Sequence, residues 1–137
     1  MSETDVWDFY MSLSDRDREH LTAAQRDVAA ICDLRQEVNS GGFDSYFRYW
    51  GGNTANRALS SLDRVLGNEW AELLREAMLL LGPEYPTDVD DRETALDAGA
   101  LGAPLDALDV RFYDLEATTD ADRLLKEHLA RGETAAT

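Results

Sequence analysis

Apolar residues recur at three- and four-residue spacing through most of this chain, and Gly, Pro and small polar residues punctuate them. Val6, Phe9, Tyr10 and Leu13 predict a short first helix, with Ser2 placed to cap it. Thr22 and Gln25 have capping-box spacing, and the helix they open carries Ala24, Val28, Ile31, Cys32 and Val38 on one stripe. Gly41 and Gly42 end that helix, because glycine tolerates a left-handed turn. A short helix over 43–50 follows, with Phe43, Tyr46, Phe47, Tyr49 and Trp50 all read as core. Gly51-Gly52-Asn53 breaks it, and Thr54 caps a helix burying Ala55, Ala58, Leu59, Leu62, Val65 and Leu66. Gly67 closes that element. Asn68 caps the next, whose apolar face is Trp70, Leu73, Leu74, Ala77, Met78 and Leu81, and Gly82-Pro83 stops it. Residues 83–103 are the least regular, with a turn at Pro83 and Pro86 and a weak helix near 90–98. Leu105, Leu108, Phe112 and Leu115 return to helical spacing, and a last helix near 120–131 carries Leu124, Leu125 and Leu129. No segment alternates with period two, so no strand is expected. The pattern predicts an all-α fold, a compact single-domain bundle of six to eight helices over 1–137, with a flexible acidic N-terminus and a flexible C-terminal tail.

Composition narrows the class. At 137 residues, 44% of them hydrophobic, the chain can bury one core. The single cysteine, Cys32, has no internal disulfide partner, which points to a reducing cytoplasm. No apolar run approaches the roughly 18 residues a membrane span needs.

Charge changes the picture more. The chain has 28 acidic and 13 basic residues, a formal net charge of −15. Residues 84–122 hold twelve of the acids and only two arginines. Nucleic-acid affinity rests on cations neutralising phosphates, so direct nucleic-acid binding is not expected, nor is an anionic membrane surface. The acids point instead to a basic protein partner, or to solubility alone. Carboxylates three and four residues apart on a helix lie about 5–6 Å apart at Cβ, a spacing compatible with a row of phosphates once the side chains splay. Glu69, Glu72 and Glu76 form one such stripe. Glu93 with Asp97 forms another, beside Asp88, Asp90 and Asp91. The acids near 88–93 also have cation-ligating chemistry, but without the loop length and glycine of a calcium loop they read as loop and capping residues.

Arg35 falls among Val28, Ile31 and Val38, and Asp109 falls between Leu105 and Phe112. A buried charge left unpaired costs several kcal/mol, so Arg35 and Asp109 are expected to pair and fix two distant helices. Catalysis has no comparable signal. Cys32 lies on a buried stripe without a base, and His128 sits among leucines. Neither Gly pair has the strand and lysine of a phosphate loop, and no zinc spacing occurs. No cofactor, metal or enzymatic activity is expected.

The run Glu37-Val38-Asn39-Ser40-Gly41-Gly42-Phe43-Asp44-Ser45-Tyr46-Phe47 resembles the core of a bacterial family of domains of unknown function, named after a DNA-mimic protein. Asn39, Gly41, Gly42, Phe43, Tyr46 and Phe47 match its asn-gly-gly-phe-x-x-tyr-phe pattern. Ser40 departs from it and implies a slightly longer corner. The turn before Arg92 falls in the family's order, and Leu105 to Tyr113, including Asp109 and Phe112, echoes its leu-asp-x-x-phe-tyr pattern. The resemblance covers roughly residues 20–131. It implies a helical fold and is compatible with a homodimer. It also implies a function in transcription regulation, in which carboxylates imitate phosphates on the DNA-binding face of a regulator. Two function classes follow: an acidic DNA mimic, or a helical binding or immunity-type module that recognises its partner by shape.

Overall fold

The computed structural model describes residues 5–135, with side chains through Gly132. Among them, eight α-helices and one 3-10 turn form a single bundle without strands. In order these are α1 (Val6–Met11), α2 (Asp15–Arg18), α3 (Ala23–Arg48), the 3-10 turn (Trp50–Thr54), α4 (Ala55–Val65), α5 (Asn68–Leu79), α6 (Val89–Ala98), α7 (Gly102–Thr118) and α8 (Ala121–Ala135). Ser2 lies outside the described residues; the N-cap of α1 is Asp5, which accepts from the Trp7 N–H at 2.8 Å. Residues 136–137 lie outside them too, and α8 runs on to Ala135 through part of the expected tail. The short α2 was not anticipated, although Ser14 and Asp17 form a reciprocal capping box around its first turn.

α3 is the central element and packs against α1, α4, α6, α7, α8 and the 3-10 turn. Thr22 and Gln25 cap its N-terminus reciprocally, as the spacing predicts. Its break is narrower than expected. Ser40 and Gly41 stay helical, and Gly42 alone leaves the helix, at φ 79° and ψ −179°, so the aromatic segment is the last part of one kinked helix. Such backbone is open essentially only to glycine. The kink turns Phe43, Tyr46 and Phe47 into the core, each 0% exposed. Phe43 meets Phe112 edge-on at 5.8 Å, Phe112 meets Trp70 at 5.2 Å, and Phe47 meets Tyr85 at 5.8 Å. One aromatic cluster thus ties α3, α5, α7 and the loop before α6.

Tyr49 and Trp50 are not core: they are 58% and 49% exposed, because α3 has ended and the chain turns outward into the 3-10 turn. Trp50 instead carries the Arg18 guanidinium over its ring at 4.7 Å. Thr54 and Asn68 do not cap their helices through their side chains. The Thr54 hydroxyl donates to Asp33 at 2.8 Å, and Asn68 donates to Glu72 at 3.1 Å. The expected stripes of α4 and α5 face inward, with Ala58, Leu62, Leu73, Leu74 and Ala77 at 0–1% exposure. No helix among the described residues is long and apolar enough to cross a membrane.

Cys32 is fully buried, and that burial, opposed by nearby Arg35, pushes its thiol up to about 12. Only the thiolate is nucleophilic. The native protein should therefore react with a thiol reagent at neutral pH only as fast as it opens. Addition of denaturant should bring the rate to that of a free cysteine; fast stoichiometric labelling of the native state would contradict the buried stripe.

Candidate functional site

A helix buried on most sides must satisfy any charge it carries. α3 carries three such charges, Asp27, Asp33 and Arg35, exposed by 4%, 2% and 6%. Asp27 accepts from Arg57 Nε at 2.7 Å on α4 and lies 3.0 Å from His128 Nε2 on α8. Asp33 takes a two-pronged bond from Arg18 at 2.8 and 3.1 Å, and hydroxyl bonds from Tyr10 and Thr54. Arg35 does not pair with Asp109. Its Nε and Nη2 donate to the two Glu116 oxygens at 2.7 and 2.8 Å, and its Nη1 to Asp122 at 2.7 Å. Arg35 lies one helical turn or more before the kink, level with the end of α7 and the start of α8, whereas Asp109 lies level with the kink. Asn39 donates to the same Glu116 at 3.2 Å.

Asp109 has another task. Its Oδ1 accepts the Phe43 N–H at 2.8 Å, a donor the break at Gly42 deprives of its helical partner, and a Cβ on Gly42 would run into the same carboxylate. Burial first, then Asp106 and Asp44, raise its pKa above the usual aspartate value, against the lowering effect of the Phe43 N–H. Asp109 and Phe112 both face α3, so the leu-asp and phe positions of α7 serve the kink.

The eight acids predicted as a partner-binding surface are all exposed. They form two sets with different neighbours, since α6 packs on α3 and the 3-10 turn while α5 packs on α4 and α7. On α6, Asp88 is the N-cap, accepting the Asp90 N–H at 2.9 Å. Among the described residues Asp90, Asp91 and Glu93 form no ion pair, and Asp97 meets Arg48 at 3.1 Å. Arg48 also holds Asp44 at 2.9 Å, so the α6 set continues through Asp44 to Asp109 and Asp106 at the kink. On α5, Glu76 pairs with Arg111 of α7 at 2.7 Å, and that bond pulls its pKa down. Glu69 and Glu72 line a groove with Asp114 and Arg111 of α7. Asp44, Asp106 and Asp114 join these surfaces although the sequence pattern did not single them out. Only packing brings α3 and α7 alongside. No group of three His, Cys, Asp or Glu side chains among the described residues is arranged to hold a metal ion.

Arg92 is the residue that sequence reasoning missed as a functional support. It is 0% exposed and has no carboxylate partner among the described residues. Its guanidinium donates to the Phe47 carbonyl at 2.7 Å, Thr87 at 2.8 Å, Pro86 and Tyr49 at 3.2 Å each, and Asn53 Oδ1 at 2.6 Å. Phe47 and Tyr49 lie at the C-terminal end of α3, where carbonyls lack helical partners and the helix dipole favours a cation. α6 buries only Arg92 and Leu96, so this one side chain does much of the work of seating the acidic helix. A basic residue amid five acids, four positions before Leu96, was the available signal.

Residues 19–131 match the model of the DMP19-like protein family, and the chain belongs to that family. No curated protein and no solved structure matches it.

Proposed function

We propose that this protein is a non-enzymatic acidic protein that docks on the basic surface of a protein partner, in its sharpest form by imitating DNA against a DNA-binding regulator. The family is named after a DNA-mimic protein, which is in keeping with that reading. The observation that carries it is which acids are left without a cation. Arg18, Arg35 and Arg92 turn inward, against Asp33, Glu116 with Asp122, and main-chain carbonyls respectively. Asp90, Asp91 and Glu93 on α6, and Glu69, Glu72 and Asp114 along the α5–α7 groove, are left exposed without ion pairs among the described residues. Burial leaves the net surface charge unchanged, since Asp27 and Asp33 are buried along with Arg35 and Arg92, but it leaves these carboxylates in two local unpaired sets. Like charges held together without pairing destabilise a fold, so a partner that uses them is the economical explanation. A second reading, recognition by shape, is favoured by the exposed apolar pair on α7, Val110 at 58% and Tyr113 at 44%.

The test is the fourfold amide variant Asp88→Asn, Asp90→Asn, Asp91→Asn and Glu93→Gln. Asn caps a helix as well as Asp, so the fold should lose only the interaction of the Asp88, Asp90 and Asp91 carboxylates with the helix dipole, about 1–3 kcal/mol. Partner affinity should fall about tenfold or more. For the unaltered protein, raising salt from about 0.05 M to about 0.3 M should weaken binding by a similar factor, because exposed charges are screened beyond about 8–10 Å. Unchanged affinity in the folded variant would move the interface to the apolar face of α7.

A further inference from the structure

A groove between the start of α3, α2, α4 and the 3-10 turn stands apart in this acidic molecule. It is an open groove of ≈300 Å³, with half-buried Leu21 and exposed Trp50 as its apolar wall over a floor of buried Ala29 and Ala30. Three arginines, Arg18, Arg26 and Arg57, line it, and no carboxylate does. Behind it, Asp33 takes up Arg18 and Asp27 takes up Arg57, but Asp27 is also shared with Arg64 at 3.7 Å and His128 at 3.0 Å. Arg26 is exposed and has no ion-pair partner among the described residues.

We infer that this groove binds a small apolar carboxylate, an aryl or alkyl acid, with its carboxyl group on Arg26 and its hydrocarbon part against Trp50, Leu21, Ala29 and Ala30. Three features select that occupant. The volume lies at the lower end of small-molecule sites, enough for a ring or a short chain. An uncommitted guanidinium offers the planar two-pronged donor set that matches a carboxylate. The Arg18 guanidinium, itself held by Asp33, lies over the Trp50 ring at 4.7 Å and restrains this side of the groove. This site is separate from the acidic α5 and α6 surfaces and extends the account beyond them.

The experiment titrates the full chain with phenylacetate, hexanoate and octanoate, each beside its primary amide, and follows the Trp50 indole and Thr54 amide signals by heteronuclear NMR. At least one acid should shift both signals saturably and bind about tenfold or more tightly than its amide. Arg26→Gln, a change at an exposed and unpaired side chain, should remove that preference while leaving amide binding and the remaining spectrum unchanged. Equal affinity for acid and amide would overturn the assignment, as would no shift at Trp50 with any acid up to about 10 mM, a concentration well above weak small-ligand affinities. Saturable binding of an acidic peptide with none of the free acids would overturn it in favour of a protein segment.

Discussion

Replacing Arg92 with methionine is expected to cost about 4 kcal/mol of stability and to lower the melting temperature by roughly 15 °C. Methionine keeps much of the volume, so the loss reports the hydrogen bonds. The Phe47 carbonyl would lose its donor in a buried place, and the carbonyls of Tyr49, Pro86 and Thr87 and the Asn53 side chain would lose theirs in part-buried ones. Each buried polar group left unsatisfied costs about 1–3 kcal/mol, and relaxation recovers part of the total. Arg92→Lys should recover little, since one ammonium with three donors cannot reach acceptors on three separate segments. Denaturant unfolding of both variants checks this. The functional consequence is local: α6, held by Arg92 and Leu96, should show the first loss of hydrogen-exchange protection. A methionine variant as stable as the parent would mean that Arg92 does not seat the acidic helix.

The second large effect is at the kink, and here the sign decides. In an ordinary helix interior, Gly→Ala stabilises by about 1 kcal/mol. At Gly42 it should instead destabilise by about 3 kcal/mol. The backbone there, φ 79° and ψ −179°, is strained for any residue with a Cβ, by about 1–3 kcal/mol. The new methyl would also displace the Asp109 carboxylate from the Phe43 N–H. Asp109→Ala should cost about 1–3 kcal/mol through that same N–H. The double variant should lose less than the sum, because both changes break one feature. Thermal or denaturant unfolding of the three proteins gives the cycle. A stabilised Gly42→Ala would show that α3 is straight in solution and that Phe43, Tyr46 and Phe47 reach the core another way.

The elements were readable in the sequence because caps and apolar periodicity are local. Thr22 with Gln25 and the stripes of α4 and α5 appear where the spacing puts them, whereas the glycine break narrows to Gly42 alone and Thr54 and Asn68 bond elsewhere. Partners were not readable, because periodicity tells which face a side chain occupies and not what lies opposite. Arg35 is buried and Asp109 of α7 is half-buried against α3, yet they lie beside different levels of α3 and bond to different groups. Asp27 and Asp33 carried a signal that the pattern did not resolve: on the buried helix a carboxylate is tenable only if another element brings a donor. Tyr49 and Trp50 share the aromatic run of Phe43, Tyr46 and Phe47, but the helix ends at Arg48 and the periodicity ends with it. The acids of the candidate surface were legible as residues. Their extension through Asp44, Asp106 and Asp114 required knowing that α7 lies beside α3 and α5.

The central claim is that exposed carboxylates on α6 and in the α5–α7 groove stand in for phosphates. Its most direct test is capture of partners from source-cell lysate at low ionic strength, on the unaltered protein and on the fourfold amide variant side by side, with elution by salt and, separately, by duplex DNA. The account predicts a basic DNA-binding protein that both eluents release and that the variant fails to capture. A partner held equally by the variant, and resistant to both salt and DNA, would contradict it.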